Sequence, residues 1–152
     1  DFVREIIEQA AIVYNSEKSG ILELGGGVPK NTAQQTGPLL DQILRKDHGG
    51  QDYIIQITDA RPDTGGLSGA TLQEGKSWGK VQDSHEDLIT VYTDATIAFP
   101  LLALYALSNE QSREQKRIYK NLDKYYKTLQ DSANKVPDKF ADILKKSDIN
   151  LD

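Results

Sequence analysis

Residues 21–30, with the sequence ILELGGGVPK, contain the signals of a strand, a loop and a helix in succession. The first four residues are apolar except for one glutamate, and a short apolar run of this kind is typical of a buried strand. Gly25, Gly26 and Gly27 then predict a loop, and Pro29 suits the first turn of a helix, where its missing N–H costs no hydrogen bond. A glycine loop between a strand and a helix lets the backbone approach phosphate groups, which favours nucleotide binding. A plain tight connection explains the same residues, so the motif alone leaves both interpretations open.

The spacing of apolar residues elsewhere predicts a chain in which strands alternate with helices. The predicted elements are strands at residues 53–57 and 88–92 and helices at residues 2–17, 29–44 and 95–107. We expect Gly20 to stop the first helix, and Asp94 occupies the position of an N-cap before the last one. Strands separated by helices or long loops pair in parallel, with helices on the faces of the sheet. The sequence therefore predicts an α/β fold with a mostly parallel sheet.

The carboxyl ends of the predicted strands define a candidate binding rim. In open parallel sheets, ligands bind outside these strand ends. Three segments follow the strands directly and are expected to share the rim: Gly25–Gly27, Asp59–Gly69 and Thr93–Ala95. Their convergence predicts a binding site.

Composition excludes several classes of protein. The chain has 152 residues, no cysteine and a formal net charge of −5. The absence of cysteine excludes a disulfide scaffold, a zinc–thiolate site and a cysteine nucleophile, and the negative charge argues against nucleic-acid binding while suiting a cationic ligand. No apolar run approaches the roughly 20 residues of a membrane helix and no signal peptide is visible, so we expect a cytoplasmic protein without membrane contact. The chain begins with Asp1 and contains no methionine, which suggests a segment of a longer protein.

The C-terminal part of the chain has a different composition. All 12 glycines lie between Gly20 and Gly79, whereas residues 110–152 are rich in lysine. We therefore divide the chain into a body, residues 1–109, and a helical charged tail, residues 110–152. Two apolar stripes in the tail are expected to face a core or an interface. They consist of Ile118, Leu122, Tyr125, Tyr126 and Leu129, and of Val136, Phe140, Ile143 and Leu144.

A second group of candidate residues lies between the second and third predicted strands. Trp78, the single tryptophan, precedes Lys80 by two positions, and a lysine desolvated by an indole ring is suited to forming a Schiff base. A surface lysine near a packed tryptophan is the simpler interpretation. Glu74 offers a carboxylate to an ammonium group, although isolated glutamates are usually solvated. His48 and His85 lie in polar loops among acids and indicate neither a catalytic base nor a metal site.

Four motifs together resemble the C-terminal half of deoxyhypusine synthase in their order and spacing. They are Gly25–Lys30, Ser68–Ala70, Ser77–Lys80, and Val91–Thr96 followed by Phe99–Leu102. The resemblance covers residues 1–107 and excludes the tail. It implies a Rossmann-like, NAD-binding fold and a homotetramer with sites at subunit interfaces. It also implies that the N-terminal half of the family's domain is absent from this chain.

The resemblance implies roles for individual residues. Lys80 corresponds to the family's imine-forming lysine, and Trp78 and Glu74 correspond to residues of its polyamine pocket. Family members oxidise a polyamine such as spermidine with NAD, trap the four-carbon fragment on the lysine and pass it to an acceptor amine, where the retained NADH reduces the new imine. The implied NAD site consists of Gly25, Gly26, Gly27, Asp59, Ala60, Gly65, Gly66, Ser68, Asp94 and Ala95.

Two departures from the family pattern affect the expected substrate. Asn31, which is also expected to bind substrate, occupies the position of a histidine and cannot act as a general base. Leu67 replaces an acidic residue and cannot pair with an ammonium group. The motif that contains Leu67 is closer to a bacterial deoxyhypusine synthase-like branch of the family. For that branch a free diamine such as putrescine is the expected acceptor, and homospermidine is the expected product. Two alternatives stay open. One is a deoxyhypusine synthase that modifies a lysine of a translation factor, and the other is a non-catalytic, NAD-binding paralogue that serves as a subunit partner.

Overall fold

The computed structural model describes residues 2–81, 88–109 and 114–133. Within them it confirms the predicted α/β architecture, with all three predicted strands. The strands are β1 (Gly20–Leu24), β2 (Tyr53–Thr58) and β3 (Leu88–Tyr92), and the helices are α1 (Phe2–Tyr14), α2 (Val28–Gln34), α3 (Thr36–Pro38), α4 (Leu72–Ser77), α5 (Ala95–Asn109) and α6 (Leu122–Ala133).

The three strands form one parallel sheet in the order β1-β2-β3. In this register Leu24 lies beside Ile57, and Ile57 lies beside Val91. All three strands therefore end at the same edge of the sheet. The predicted rim is confirmed, because Gly25–Gly27 and Thr93–Ala95 follow β1 and β3 on either side of the loop that follows β2.

The first helix is shorter than predicted. α1 ends at Tyr14 rather than at residue 17, and polar side chains that follow it donate to carbonyl groups of its last turn. The Asn15 side chain donates to the carbonyl oxygen of Ala11 (2.8 Å), and the Ser16 hydroxyl donates to that of Ile12 (2.7 Å). The prediction that Gly20 stops this helix is wrong, since Gly20 is the first residue of β1.

The helix predicted over residues 29–44 is divided into α2, α3 and a π-helical turn at Leu39–Ile43. Pro38 lies at the division, and a proline inside a helix removes a hydrogen bond and crowds the preceding turn. In the π-helical turn, the Leu44 N–H reaches back five residues to the carbonyl oxygen of Leu39 (2.9 Å). The prediction was right about the helical state and wrong about its continuity.

Within the described residues, one face of the sheet is covered and the other is largely open. Ile54 of β2 packs against Leu72 of α4 and against Val81. α5 contacts β2, yet none of its side chains is buried. Four apolar side chains of β1 and β3 on the open face are 38–49% exposed: Leu22, Leu24, Ile89 and Val91.

The tail contributes to the core through α6. Leu129 of α6 is buried with Ala10, Ala11 and Leu40, so the first predicted tail stripe does face a core. The second stripe, within residues 136–144, lies outside the described residues. Among the helices that the structure describes, none combines the length and apolar content needed to cross a membrane.

Candidate active site

The triple glycine forms a loop that only glycine can build at two of its positions. Gly25 and Gly27 have φ values of +79° and +76°, which L side chains rarely adopt. Gly26 is required for a different reason, because a Cβ atom there would lie 2.7 Å from the Cα atom of Ser68. The loop after β1 and the loop after β2 therefore touch backbone to backbone.

Gln56 of β2 fastens these two loops together. Its side-chain amide is buried and donates to the carbonyl oxygens of Ser68 (2.9 Å) and Gly25 (3.3 Å). A buried amide with its N–H groups satisfied in this way fixes both loops relative to the sheet. The strand pattern alone did not indicate this role for Gln56.

Three of the glycines expected to bind NAD border open space at the rim. A Cβ atom at Gly25, Gly65 or Gly66 would meet no atom within 4 Å, so these backbone segments face outward instead of packing against the protein. Asp59 is exposed, and the Ala60 N–H donates to the Thr58 hydroxyl (3.2 Å). A dinucleotide needs such uncovered glycine backbone for close approach, so the residues present fit the group.

Asp94 is the N-cap of α5, as predicted, and Ala95 is the first helical residue. The Oδ1 atom of Asp94 accepts hydrogen bonds from the hydroxyl (2.6 Å) and the backbone N–H (2.8 Å) of Thr96. These two bonds, with the one from the hydroxyl the stronger influence, hold the pKa of the Asp94 carboxyl below its usual value. Asp94 is therefore a fixed, exposed carboxylate at the end of β3.

The backbone of Lys80 is held by hydrogen bonds and by a glycine contact. Its N–H donates to the carbonyl oxygen of Gly75 (3.0 Å), and its own carbonyl oxygen accepts from the Gln51 N–H (3.1 Å). Gly50 packs directly on this segment, since a Cβ atom there would lie 2.6 Å from the carbonyl carbon of Lys80. This packing directs the Lys80 side chain toward α2.

The Lys80 side chain meets Asn31 of α2. The Nζ atom of Lys80 lies 3.5 Å from the Oδ1 atom of Asn31, at the limit of a hydrogen bond. The side-chain amide of Asn31 also donates to the carbonyl oxygen of Gly27 (3.0 Å). The structure therefore joins the lysine, the asparagine and the glycine loop, which belong to two separate sequence motifs.

The other residues expected in the substrate pocket lie near the surface. Glu74 of α4 is exposed, and its charge acts on Lys30. Trp78 is 60% exposed, and its carbonyl oxygen accepts from the Gln42 side chain (3.3 Å). The expected shielding of the Lys80 amine by Trp78 stays a prediction.

Leu67, at the position of the family's acidic residue, is 54% exposed. Of the two histidines, His85 lies outside the described residues. The imidazole Nδ1 atom of His48 is buried, with no hydrogen bond from any described residue.

Two charged residues behind Lys80 were given no role by the sequence analysis. Glu23 of β1 and Lys30 of α2 are only 4% and 5% exposed. The Oε1 atom of Glu23 accepts from the Gln34 side chain (2.6 Å), and the Lys30 Nζ donates to the carbonyl oxygen of Ala70 (2.7 Å). The signal that could have identified Glu23 is that it is the single glutamate in an otherwise apolar strand. For Lys30 the sequence offers only its place in the glycine motif.

Burial shifts the pKa of each group in the direction that favours its neutral form. It raises the pKa of the Glu23 carboxyl, against the opposing effects of the Gln34 hydrogen bond and of the charges on Lys30 and Lys80. It lowers the pKa of the Lys30 amine, with Glu23 opposing this and Lys80 reinforcing it. The charge of Lys80 thus contributes to the pKa shifts of both buried groups.

Comparison with known proteins identifies relatives of this chain. A sequence model of the deoxyhypusine synthase family matches residues 1–106. A deoxyhypusine synthase-like protein of Nostoc punctiforme is 50% identical over 120 residues, which are 76% of this chain and 31% of the relative. One from Thermosynechococcus vestitus is 46% identical over 134 residues, 83% of this chain and 33% of the relative. A probable deoxyhypusine synthase 2 of Methanosarcina acetivorans is 45% identical over 118 residues, 78% of this chain and 33% of the relative.

The chain spans about a third of the length of these curated relatives. Its parallel sheet, flanking helices and helical C-terminal region are consistent with the family's Rossmann-like fold. The family match covers all three loops of the candidate binding rim and the segment that contains Lys80. The chain therefore belongs to the deoxyhypusine synthase family.

Proposed function

We propose that the protein containing this chain is an NAD-dependent aminobutyl transferase of polyamine metabolism. It moves the four-carbon fragment of spermidine, through an imine on Lys80, to an acceptor amine. The observation that carries the proposal is the approach of the Lys80 amine to Asn31, directly beside the glycine loop (3.5 Å). This arrangement brings a primary amine to the site suited to a dinucleotide, as imine capture after an oxidation requires.

The rim residues are the proposed holders of NAD. Gly25, Gly65 and Gly66 offer open backbone surface for the phosphates, with Gly26, Gly27 and Ser68 beside them, and Asp94 offers a carboxylate to ribose hydroxyls. When bound, NAD would supply a hydride acceptor for the oxidation of the polyamine carbon and, in its reduced form, the hydride that converts the final imine into the saturated amine product. The contacts among Gln56, Ser68 and Gly25 keep this surface preorganised.

Lys80 performs the covalent step in this proposal. Its neutral amine adds to the oxidised carbon of the polyamine fragment, forming a C–N bond, and the original amine of the polyamine leaves. An acceptor amine then repeats this exchange and releases Lys80, so the two exchanges involve no net oxidation. Asn31 orients the Lys80 amine as a hydrogen-bond acceptor and, being an amide, takes no proton from it.

We propose a free diamine such as putrescine as the acceptor, with homospermidine as the product. Asn31 supplies no base, and the exposed Leu67 supplies no charge at the family's acidic position. A free diamine carries a second amine of its own. A lysine of an acceptor protein instead reaches the site as part of a protein surface, which requires a protein–protein interface. The alternatives are modification of a translation-factor lysine and a non-catalytic role as a subunit partner.

Subunit contacts form part of the proposal. We propose a cytoplasmic homotetramer with sites at its interfaces, completed by the part of the family's chain that precedes the described residues. The uncovered apolar side chains of β1, β3 and α5 within the described residues are suited to contact with further protein surface. The mass of the full-length protein in solution, measured by light scattering, tests the tetramer.

Borohydride trapping tests the proposed function. The full-length protein is incubated with NAD and labelled spermidine, reduced with borohydride and mapped by mass spectrometry. We expect an aminobutyl adduct on Lys80, which is lost in Lys80→Arg while NAD binding remains. Lys76→Arg is the matched control, because Lys76 is a half-buried lysine four residues away.

The outcomes separate the candidate functions. Product formation with putrescine, but not with a translation-factor lysine, supports the proposed acceptor, and the reverse supports a deoxyhypusine synthase. NAD binding without any adduct on Lys80 supports the non-catalytic paralogue. Substantial transfer by Lys80→Arg removes Lys80 from the mechanism, since arginine has no amine that is freed near neutral pH.

A further inference from the structure

The π-helical turn at Leu39–Ile43 contacts the segment that contains Lys80. Within this turn, the side-chain amide of Gln42 donates to the carbonyl oxygen of Trp78 (3.3 Å), two positions before Lys80. Turns of this kind are rare in proteins and occur frequently at functional sites. The turn therefore supports the candidate active site from outside the four sequence motifs that define it.

Two glycines on either side of this turn pack directly on the backbone around Lys80. A Cβ atom at Gly37 would lie 2.6 Å from the carbonyl oxygen of Gly79 and 3.4 Å from the Cα atom of Lys80. A Cβ atom at Gly50 would lie 2.6 Å from the carbonyl carbon of Lys80. These contacts join backbone to backbone, so the position of Lys80 depends on where the loop that carries Gly50 is held.

The loop between the π-helical turn and β2 has an unusual backbone. Arg45 and Asp47 have φ values of +55° and +56°, and such left-handed conformations at non-glycine residues persist only where the surrounding structure fixes them. The Asp41 carboxylate accepts hydrogen bonds from the backbone N–H groups of His48 and Gly49, the second at 3.0 Å. Asp41 therefore fixes this loop immediately before it packs on the active-site lysine.

We infer that Asp41 and Gln42 are positioning residues for Lys80. Asp41 holds the loop that packs on the Lys80 backbone, and Gln42 holds the carbonyl group of Trp78. Together they fix where the Lys80 amine meets Asn31 (3.5 Å). The inference rests on the proposed function in that imine formation requires an amine held in one place. Both residues act through the backbone and not through contact with substrate.

Zero-length cross-linking measures the position of the Lys80 amine without substrate or NAD. In the full-length protein, Asn31→Asp places a carboxyl group at the side chain that Lys80 contacts. A carbodiimide activates this carboxyl group, and the Lys80 amine displaces the resulting urea to form an amide. Mass spectrometry of the digested protein gives the yield of the linked peptides. Only groups that reach each other react, so the yield reports the approach of Lys80 to α2.

Asp41→Ala and Gln42→Ala are each combined with Asn31→Asp. Both should lower the yield by about fivefold or more, because the reaction requires the two groups in contact. Asp41→Asn keeps the Oδ1 acceptor for the two loop N–H groups and should retain most of the yield. The matched controls are Asp123→Ala and Gln35→Ala, which alter exposed side chains outside the π-helical turn and the loop that follows it. They should leave the yield unchanged.

An unchanged yield in folded Asp41→Ala and Gln42→Ala overturns the inference. A purely structural role would lower stability without separating the two groups in the folded protein. A lower yield in only one variant removes the other residue from the positioning role. If Asp41→Ala loses the native circular dichroism, Gln42→Ala, at an exposed side chain, decides the matter alone.

The cross-link is independent of aminobutyl transfer. With Asn31 retained, Asp41→Ala and Gln42→Ala should slow formation of the spermidine adduct on Lys80 by about tenfold while leaving NAD binding unchanged. A lowered cross-link yield together with no adduct in the wild-type protein refutes the proposed function alone. An adduct that forms at the wild-type rate in both variants refutes the positioning role alone.

Discussion

Gly50→Ala offers a direct test of how the fold fixes the position of Lys80. Gly50 has a φ of +86°, and its missing side chain lets the backbone of Lys80 and Val81 approach closely. A Cβ atom there would lie 2.6 Å from the Lys80 carbonyl carbon and 2.6 Å from the Val81 nitrogen. Both neighbours are backbone atoms, so neither can move away by rotating a side chain.

The expected loss of stability has two parts. A left-handed backbone at a non-glycine residue costs about 1–2 kcal/mol. Overpacking against neighbouring atoms that cannot rotate away adds about 1–3 kcal/mol. Gly50→Ala should therefore lower the free energy of unfolding by about 2–5 kcal/mol, a large share of the total for a typical domain.

Gly65→Ala is the matched control. Gly65 has a comparable φ of +72°, yet a Cβ atom there would meet nothing within 4 Å. Gly65→Ala should therefore cost only the backbone strain of about 1–2 kcal/mol. The reduced conformational freedom of the unfolded chain is common to both variants, so it does not affect their difference. Urea unfolding of the two variants measures the difference. Equal losses at Gly50 and Gly65 would refute the packing of Gly50 against the Lys80 segment.

Three further substitutions test the rim, the tail and the N-cap. Gln56→Leu leaves two loop carbonyls without their donor. It should lower the unfolding free energy by about 1–3 kcal/mol and weaken NAD binding. Unchanged values in urea unfolding and NAD titration would contradict the role of Gln56. Leu129→Ala should cost about 2–5 kcal/mol if α6 belongs to the core, whereas Tyr119→Ala, at a site 90% exposed, should leave the urea midpoint unchanged. Because the pKa of Asp94 is depressed, its ionised form stabilises the fold at neutral pH, and this contribution disappears as the pH falls below about 4. Asp94→Asn retains a capping side chain that does not titrate, so the stability of this variant should fall less steeply below about pH 4, and identical acid profiles would count against the reasoning.

Local sequence determined the elements of the rim. β1 and β2 lie within one residue of their predicted bounds, and β3 matches them, because each is a short apolar run bounded by polar residues or glycine. The N-cap at Asp94 was also predictable from local sequence, since its side-chain hydrogen bonds go to Thr96, two positions away. Order along the chain, combined with the rule for parallel sheets, then sufficed to bring three loops to one edge.

Tertiary packing contributes to where the first helix ends. Periodicity carried the first helix to residue 17, but α1 ends at Tyr14, where the side chain of Asn15 also donates to the carbonyl oxygen of Tyr125 in α6 (3.2 Å). That contact joins residues 110 positions apart. No pattern within a single helix contains this information.

The sequence by itself determined which residues carry the candidate chemistry, namely the triple glycine, Lys80 and the carboxylate Asp94. Only the tertiary structure decided that Lys80 meets Asn31, 49 positions away, and that Glu23 is buried. The physical reason is that side-chain identity and periodicity are local properties of a chain. Burial, which shifts the pKa values of Glu23 and Lys30, arises only when separate segments pack and exclude water.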